Sequence, residues 1–183
     1  MSRKYKFNDS SNLYFVSFAV INWIDVFIRE DYKHILINSF KYCQEKKDLQ
    51  IYAYCIMTSH VHMIISSESN RLENIIRDLK SNTSTQMRTA IDSIPGESRK
   101  EWMMWMMKRA GLKNSNNNDY QFWQQNNHPI ELHDYEITKQ KLDYIHDNPV
   151  KAGFVSQPQD WLYSSARDYC GQKGLVDVIL VFG

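Results

Sequence analysis

Two histidines one residue apart, His60 and His62 in the stretch MTSHVHMII, carry the first hint of chemistry in this chain. The flanking runs IYAYCIM and VHMIISS are rich in β-branched and aromatic residues and read as two short strands joined by a turn at Thr58-Ser59. Side chains alternate along a strand, so both imidazoles project from one face and form a partial ligand set for a divalent ion. Tyr144 and Asn148 stand four residues apart on one face of the final turn of a helical pattern. If that face lies over the histidines, the Asn148 amide oxygen could complete the coordination and Tyr144 would stand beside a Lewis acid. A metal that polarises a phosphodiester, with a phenolate to attack phosphorus, is a covalent strand-cutting centre. Each piece also has a plainer use. Paired histidines in a strand suit packing or hydrogen bonding, and most of the eleven tyrosines belong in cores and interfaces. The residue types admit metal-assisted phosphodiester chemistry and leave the plainer uses open.

The elements that must position these groups follow from periodicity. LYFVSFAVINW, residues 13 to 23, reads as a central strand. REDYKHILINSFKYCQEKKDL follows as a helix, with acids at its start and lysines at its end as the helix dipole prefers. After the hairpin of residues 50 to 67, Leu72, Ile75, Ile76 and Leu79 form the stripe of a second long helix with Asn70 as its N-cap. ESRKEWMMWMMKRAG reads as a third helix whose Trp102, Trp105 and Met106 share a packed face, closed by Gly111. LKNSNNND is a polar loop and YQFWQQ a further short strand. A helix from about Tyr135 should stop at Asn148, because Pro149 disfavours helical geometry in the residue before it. A short helix around WLYSSARDY and an apolar end complete the chain. This order predicts an α+β, ferredoxin-like sandwich, an antiparallel sheet with helices on one face and the Tyr144 helix near the C-terminal end. Residues 1 to 183 read as one domain, with a C-terminal extension from about residue 155.

Composition narrows the class. With 183 residues, 43% of them hydrophobic, the chain can bury a sizeable core. No window approaches the ~20 apolar residues of a membrane span, and the start MSRKYKFNDSS lacks an apolar segment, so a cytoplasmic protein is expected. Three widely spaced cysteines, Cys43, Cys55 and Cys170, fit buried thiols in a reducing compartment. The net charge of +1 is low for a duplex-DNA binder. It is unevenly spread: residues 71 to 113 hold nine Lys/Arg against five Asp/Glu, and residues 114 to 183 hold five against nine.

MTSHVHMII, then FWQQ at Phe122 to Gln125, then YIHDNPVKAGFV from Tyr144 resemble, in that order, the three signatures of the HUH-type single-tyrosine transposases, in particular their REP-associated branch. The similarity runs from about Tyr14 to about Tyr169. It implies a metal-dependent single-stranded DNA endonuclease and strand transferase, in which Tyr144 is the nucleophile and leaves a 5′-phosphotyrosine link and a free 3′-hydroxyl. His60, His62 and Asn148 would hold Mg or Mn, and the partner would be single-stranded or hairpin DNA. The residue before the first histidine is usually Asn in this family; here it is Ser59, which alters a supporting contact and leaves the ligand pair intact. For DNA contact the charge pattern offers Arg77, Lys80, Lys108, Arg109, Lys113 and Lys151, for which an ordinary solvated face is the alternative. His128 could reach the site or serve as a loop hydrogen-bonding residue. Two other functions stand beside strand transfer: a domesticated relative that binds hairpin DNA without cutting it, and a metallohydrolase using Glu68 or Asp147, whose spacing suits it poorly. Family relatives act as dimers or monomers; the Pro149 stop and the tail favour a tyrosine used in cis.

Overall fold

The structure, a computed structural model, describes residues 7–113, 119–125 and 127–182. Strand β1 (Tyr14–Ala19), helix α1 (Glu30–Lys47), strands β2 (Gln50–Ile56) and β3 (His60–Ser66), helices α2 (Leu72–Ser93) and α3 (Lys100–Leu112), strand β4 (Ile130–Glu131) and helices α4 (Tyr135–Lys151) and α5 (Ala166–Tyr169) follow in order. The four strands pair antiparallel in the order β2-β3-β1-β4. The expected α+β, ferredoxin-like arrangement is the one found.

Alternation along β1 and β3 divides their side chains between two cores. Tyr14, Val16 and Phe18, with Val61, Met63 and Ile65, pack under Leu36, Ile37 and Phe40 of α1 and Leu72, Ile75, Ile76 and Leu79 of α2. Phe15 and Ile64 point the other way and join Ala53, Cys55, Leu142 and Ile145. The helices α1 and α2 thus cover one face, as expected, whereas α4 covers the other. The reason is that β1 and β3 are apolar on both sides, and each side needs a cover. Leu142 and Ile145 are buried on that seam, a contribution of roughly 1.5–3 kcal/mol each.

Several local expectations are corrected. α4 does not stop at Asn148 but runs to Lys151 with Pro149 inside it. The buried Pro149 ring lies in the last turn, which closes through Ala152 N–H to Asn148 O and Phe154 N–H to Pro149 O. Asn70 does not cap α2: its side chain donates to Lys47 O, and the Leu72 N–H is met by Ser10 Oγ from the N-terminal segment. The packed face of α3 is Met103, Met107 and Gly111, and Trp102 and Trp105 are exposed. Gly111 lies inside the helix, where a Cβ would strike the Tyr120 backbone; that close approach fixes the rotation of α3. YQFWQQ is not a strand. Gln121, Phe122 and Trp123 are buried in succession rather than alternately, and only Trp123 bridges to Val20. β1 ends at Ala19, and the residues after it turn sharply. Cys43 and Cys55 are buried, but Cys170 is exposed. Most of the polar loop after α3 lies outside the described residues. No helix among them is long and apolar enough to cross a membrane.

The C-terminal segment runs along the free edge of β2. Ile56 N–H donates to Tyr163 O, Ser165 N–H to Tyr54 O, and Trp161 Nε1 to Ile56 O. An edge that would otherwise offer unpaired groups is closed. The same segment holds α4, because His146 Nε2 lies 2.9 Å from Ser165 Oγ and its ring packs edge-on to Tyr169. Burial pushes the His146 imidazole down to about 4, against the opposing pull of Asp143 and Asp147. The neutral ring is the folded form, so its contribution is complete above about pH 6.5 and is lost as pH falls towards 4. Moving from pH 7 to pH 5 should cost about 2 kcal/mol through this residue. His146→Gln, which cannot titrate, should lose that much less stability over the same interval in urea denaturation. An identical pH dependence in the two proteins would refute the assignment.

Candidate functional site

The site is built where α4 crosses the sheet. β3 presents His60, His62 and Ile64 to the α4 side, opposite Ala19, Ser17 and Phe15 of β1. The two imidazoles lie edge to face with ring centroids 4.7 Å apart. Tyr144 comes down from α4 so that its Oη is 3.5 Å from His62 Nε2, and its ring is edge-on to His62 and to Phe15. Asn148, one turn later, brings its side chain close to His60, where it favours the proton on that ring. The four residues singled out by spacing, from strands and a helix far apart in sequence, are therefore brought together within one chain. Tyr144 remains 41% exposed, open to a ligand from solvent, while His62 is buried at 5%.

Electrostatics keep the imidazoles neutral. Burial is the main cause for both. His62 is pushed down to about 3, with His60 and Lys141 adding repulsion, and His60 is lowered against the opposing effect of Asn148. Neutral imidazoles offer lone pairs to a cation. His62 Nδ1 is buried without a hydrogen-bond partner, an expense that a bound ion would remove. Ser59 Oγ lies 3.2 Å from His60 Nδ1 and orients that ring, so serine takes up the supporting contact at this position. No group of three His, Cys, Asp or Glu side chains suited to a metal occurs among the described residues. A third donor would have to be the Asn148 amide. Two imidazoles and an amide oxygen fit a divalent ion, and this mixed set suits manganese better than magnesium, which prefers oxygen throughout.

Sequence reasoning missed two neighbours. Lys141, one turn before Tyr144, places Nζ 4.9 Å from the Phe15 ring centroid and 5.9 Å from that of Tyr144. The three-residue spacing to Tyr144 was the available signal. Trp23 packs edge-on to His60 with centroids 5.3 Å apart, a contact that no local pattern announces.

The candidate DNA-contact residues divide. Lys80 is corrected: it is half-buried, donates to Gln124 O at 2.7 Å and Asn127 Oδ1 at 2.8 Å, and is lowered to about 8 by burial. It pins the segment after Trp123 and is not open to a phosphate. Arg77 is exposed beside Asp78 and Asn74, and Lys151 pairs with Asp147 at 3.5 Å. Lys108 is exposed. Arg109 and Lys113 come together in the wall of one cavity, whose members do not include Arg77, Lys80, Lys108 or Lys151. His128 adopts a left-handed φ of 43° in its loop. Of the alternative acids, Glu68 is exposed and Asp147 faces Lys151. Lys80→Met should leave the partly buried Gln124 O and Asn127 Oδ1 without this donor and cost roughly 1–3 kcal/mol in urea denaturation. If DNA binding weakens while stability holds, Lys80 is a contact residue after all.

The family model described as Transposase IS200 like matches residues 12–110. A Haemophilus influenzae protein described as a REP-associated tyrosine transposase is 28% identical over 137 residues, 74% of this chain and 69% of that protein. A solved REP-associated tyrosine transposase bound to a REP hairpin aligns with a TM-score of 0.66 over 100% of this chain and 94% of its own, at 16% identity, a likeness of fold. A transposase-type structure from Deinococcus radiodurans aligns at a TM-score of 0.44 and 17% identity over 81% of this chain and 95% of its own. With more than half of its residues matched by the family model, the chain belongs to the IS200-like transposases.

Proposed function

We propose that this protein cuts and rejoins single-stranded DNA through Tyr144, with a divalent ion held by His60, His62 and Asn148. The observation that carries the reading is the approach of Tyr144 Oη to 3.5 Å from Nε2 of the buried His62, beside a neutral imidazole pair. When bound, such an ion supplies charge to a non-bridging phosphoryl oxygen and orients the scissile bond. Tyr144 Oη forms a bond to phosphorus as the bond to the 3′-oxygen breaks. The phenolic proton leaves to solvent, to which the side chain is open, and the 3′-oxygen gains a proton. The products are a 5′-phosphotyrosine and a 3′-hydroxyl, and the reverse step restores a phosphodiester and the phenol without an external energy source. Lys141 Nζ stands 5.9 Å from the centre of the Tyr144 ring, a positive charge at the rim of the site where the DNA phosphate would lie. Phe15 limits the positions open to both rings, stacked on His62 at 5.6 Å and edge-on to Tyr144 at 6.0 Å.

The substrate is inferred to be a DNA hairpin with a single-stranded flank, the relative of the same fold being bound to a REP hairpin. The tyrosine is inferred to act on the histidines of its own chain. Support comes from the Leu142 and Ile145 seam and the His146–Ser165 bond, which fasten α4 to its own sheet. One end-labelled hairpin, taken from the flanks of the gene, tests both points with manganese present. The wild type should give an adduct that survives denaturing electrophoresis, Tyr144→Phe none, and His62→Ala about 10³-fold less or lower, the loss of several kcal/mol of charge stabilisation. A mixture of the two variants should stay inactive if Tyr144 acts in cis. Restored adduct in the mixture would place the tyrosine in the partner's site, and clear binding without adduct in the wild type would leave a hairpin-binding protein.

A further inference from the structure

We infer that the turn after β1 and the cavity beside it form a nucleotide subsite, in which an unpaired deoxynucleotide flanking the scissile phosphate stacks on Trp23 and meets Arg109 and Lys113. The inference rests on the DNA-cutting reading above and names how that site would hold its substrate.

Residues 22 and 23 both adopt left-handed backbone, Asn22 at φ 53° and Trp23 at φ 57°. Asparagine tolerates this conformation, but tryptophan does so rarely, and such strain persists only where its surroundings impose it. Here Val20 N–H donates to Ser59 O, Ile21 N–H to Phe122 O, Trp23 N–H to Val20 O and Ile24 N–H to Ile21 O. The turn is thus fastened to the residue before His60 on one side and to the Phe122 segment on the other. Its outcome is an indole 58% exposed, one ring away from His60. Most of an apolar ring is held in solvent at the edge of the candidate metal site, which is the presentation that base stacking uses.

The same turn lines a cavity. Ile21 and Asn22 face Met106, Arg109 and Ala110 of α3 and Lys113 just after it across about 630 Å³, with Gln121 and Gln125 also in the wall. That volume lies within the range of small-ligand sites. No carboxylate lines it among the described residues, although acidic and basic residues are nearly equal in the whole chain. Arg109 lies over the exposed Trp105 ring at 5.2 Å, which holds its guanidinium at the rim. A stacking ring, two cations and the side-chain amides of Asn22 and Gln125, a group type that pairs with base edges, together suit a nucleotide. Trp23 follows Asn22 of the cavity wall and packs on His60, so the exposed ring and the cavity flank one turn beside the candidate site.

The test measures binding by fluorescence anisotropy in the Tyr144→Phe background, where no strand is cut. Two hairpins with one stem are compared, one with a single-stranded flank and one blunt. Trp23→Ala should weaken the flanked hairpin about tenfold and leave the blunt one unchanged, and Trp23→Phe should stay within about threefold of the parent. One abasic position in the flank should cost the parent the same factor and cost Trp23→Ala nothing further. Lys113→Gln should lower the salt slope for the flanked hairpin by about 0.7. Equal losses on both hairpins, or none on either, would overturn the subsite. Tight binding of dAMP alone to the blunt complex would also overturn it, in favour of a free-nucleotide site. The parent reading is judged separately in the adduct assay with Tyr144 intact. An adduct with unaltered flank preference in Trp23→Ala sinks the subsite only, whereas Trp23-dependent preference without any adduct sinks the cutting chemistry only.

Discussion

Alternation in β3 is the constraint from which the rest of the molecule follows. Val61, Met63 and Ile65 enter the core beneath α1 and α2, so His60, His62 and Ile64 must face away from it. That second face is apolar at Phe15, Ala53, Cys55 and Ile64 and cannot be left to water. It is covered by α4, through Leu142 and Ile145, and the same helical face continues to Tyr144 and Asn148 within one turn. Packing requirements and the convergence of the candidate groups are therefore one problem. A shift of β3 by one residue would put the histidines into the main core and Met63 under Tyr144.

Covering this face also sets its electrostatics. The seam removes water from His62, which stays neutral, while Lys141 adds a positive charge at the rim. Desolvation of the rings and proximity of a cation act in the same direction on protonation: both discourage an imidazolium. The helix that imposes this environment is not held by its apolar stripe alone. Ser165 bonds both to His146 of α4 and to the Tyr54 backbone of β2, so the C-terminal segment couples the position of the helix to the edge of the sheet. The tail thus closes an edge strand and braces the element that carries Tyr144.

Much of this was legible in the sequence because it is written in local periods. The two-residue period put His60 and His62 on one side, and the four-residue spacing put Tyr144 beside Asn148 on a helix. Strand and helix order gave the α+β, antiparallel class, but neither the short strand at Ile130–Glu131 nor the cover of the second face by α4. What local periods do not encode is contact between distant segments. α3 has apolar residues on two sides, and its rotation is set by Gly111 against the Tyr120 backbone, which exposes Trp102 and Trp105. Lys80 reads as a solvated cation on its helix, but the loop that returns past Trp123 buries it. Pro149 stays helical because its ring is buried in a turn that the following residues close, a tertiary override of a backbone preference.

Overall charge is a poor guide to such a surface, since a strand need not see the whole molecule. Long-range attraction falls off over about 8–10 Å in physiological salt, so a phosphate responds to the groups within that distance. Among the described residues that line the cavity beside the turn after β1, the charged ones are Arg109 and Lys113, and Asp25, two residues beyond Trp23, is paired with Arg99; acids of the C-terminal half likewise pair with neighbouring lysines, as in Lys139–Asp143, Lys151–Asp147 and Lys173–Asp177. Low net charge then weakens attraction to duplex DNA everywhere while leaving a local positive field where an exposed ring is also presented. Affinity that comes from stacking and shape is selective for unpaired bases, because a base inside a duplex has no free face to offer Trp23. The proposed subsite would therefore let a near-neutral chain choose a single strand over a double one.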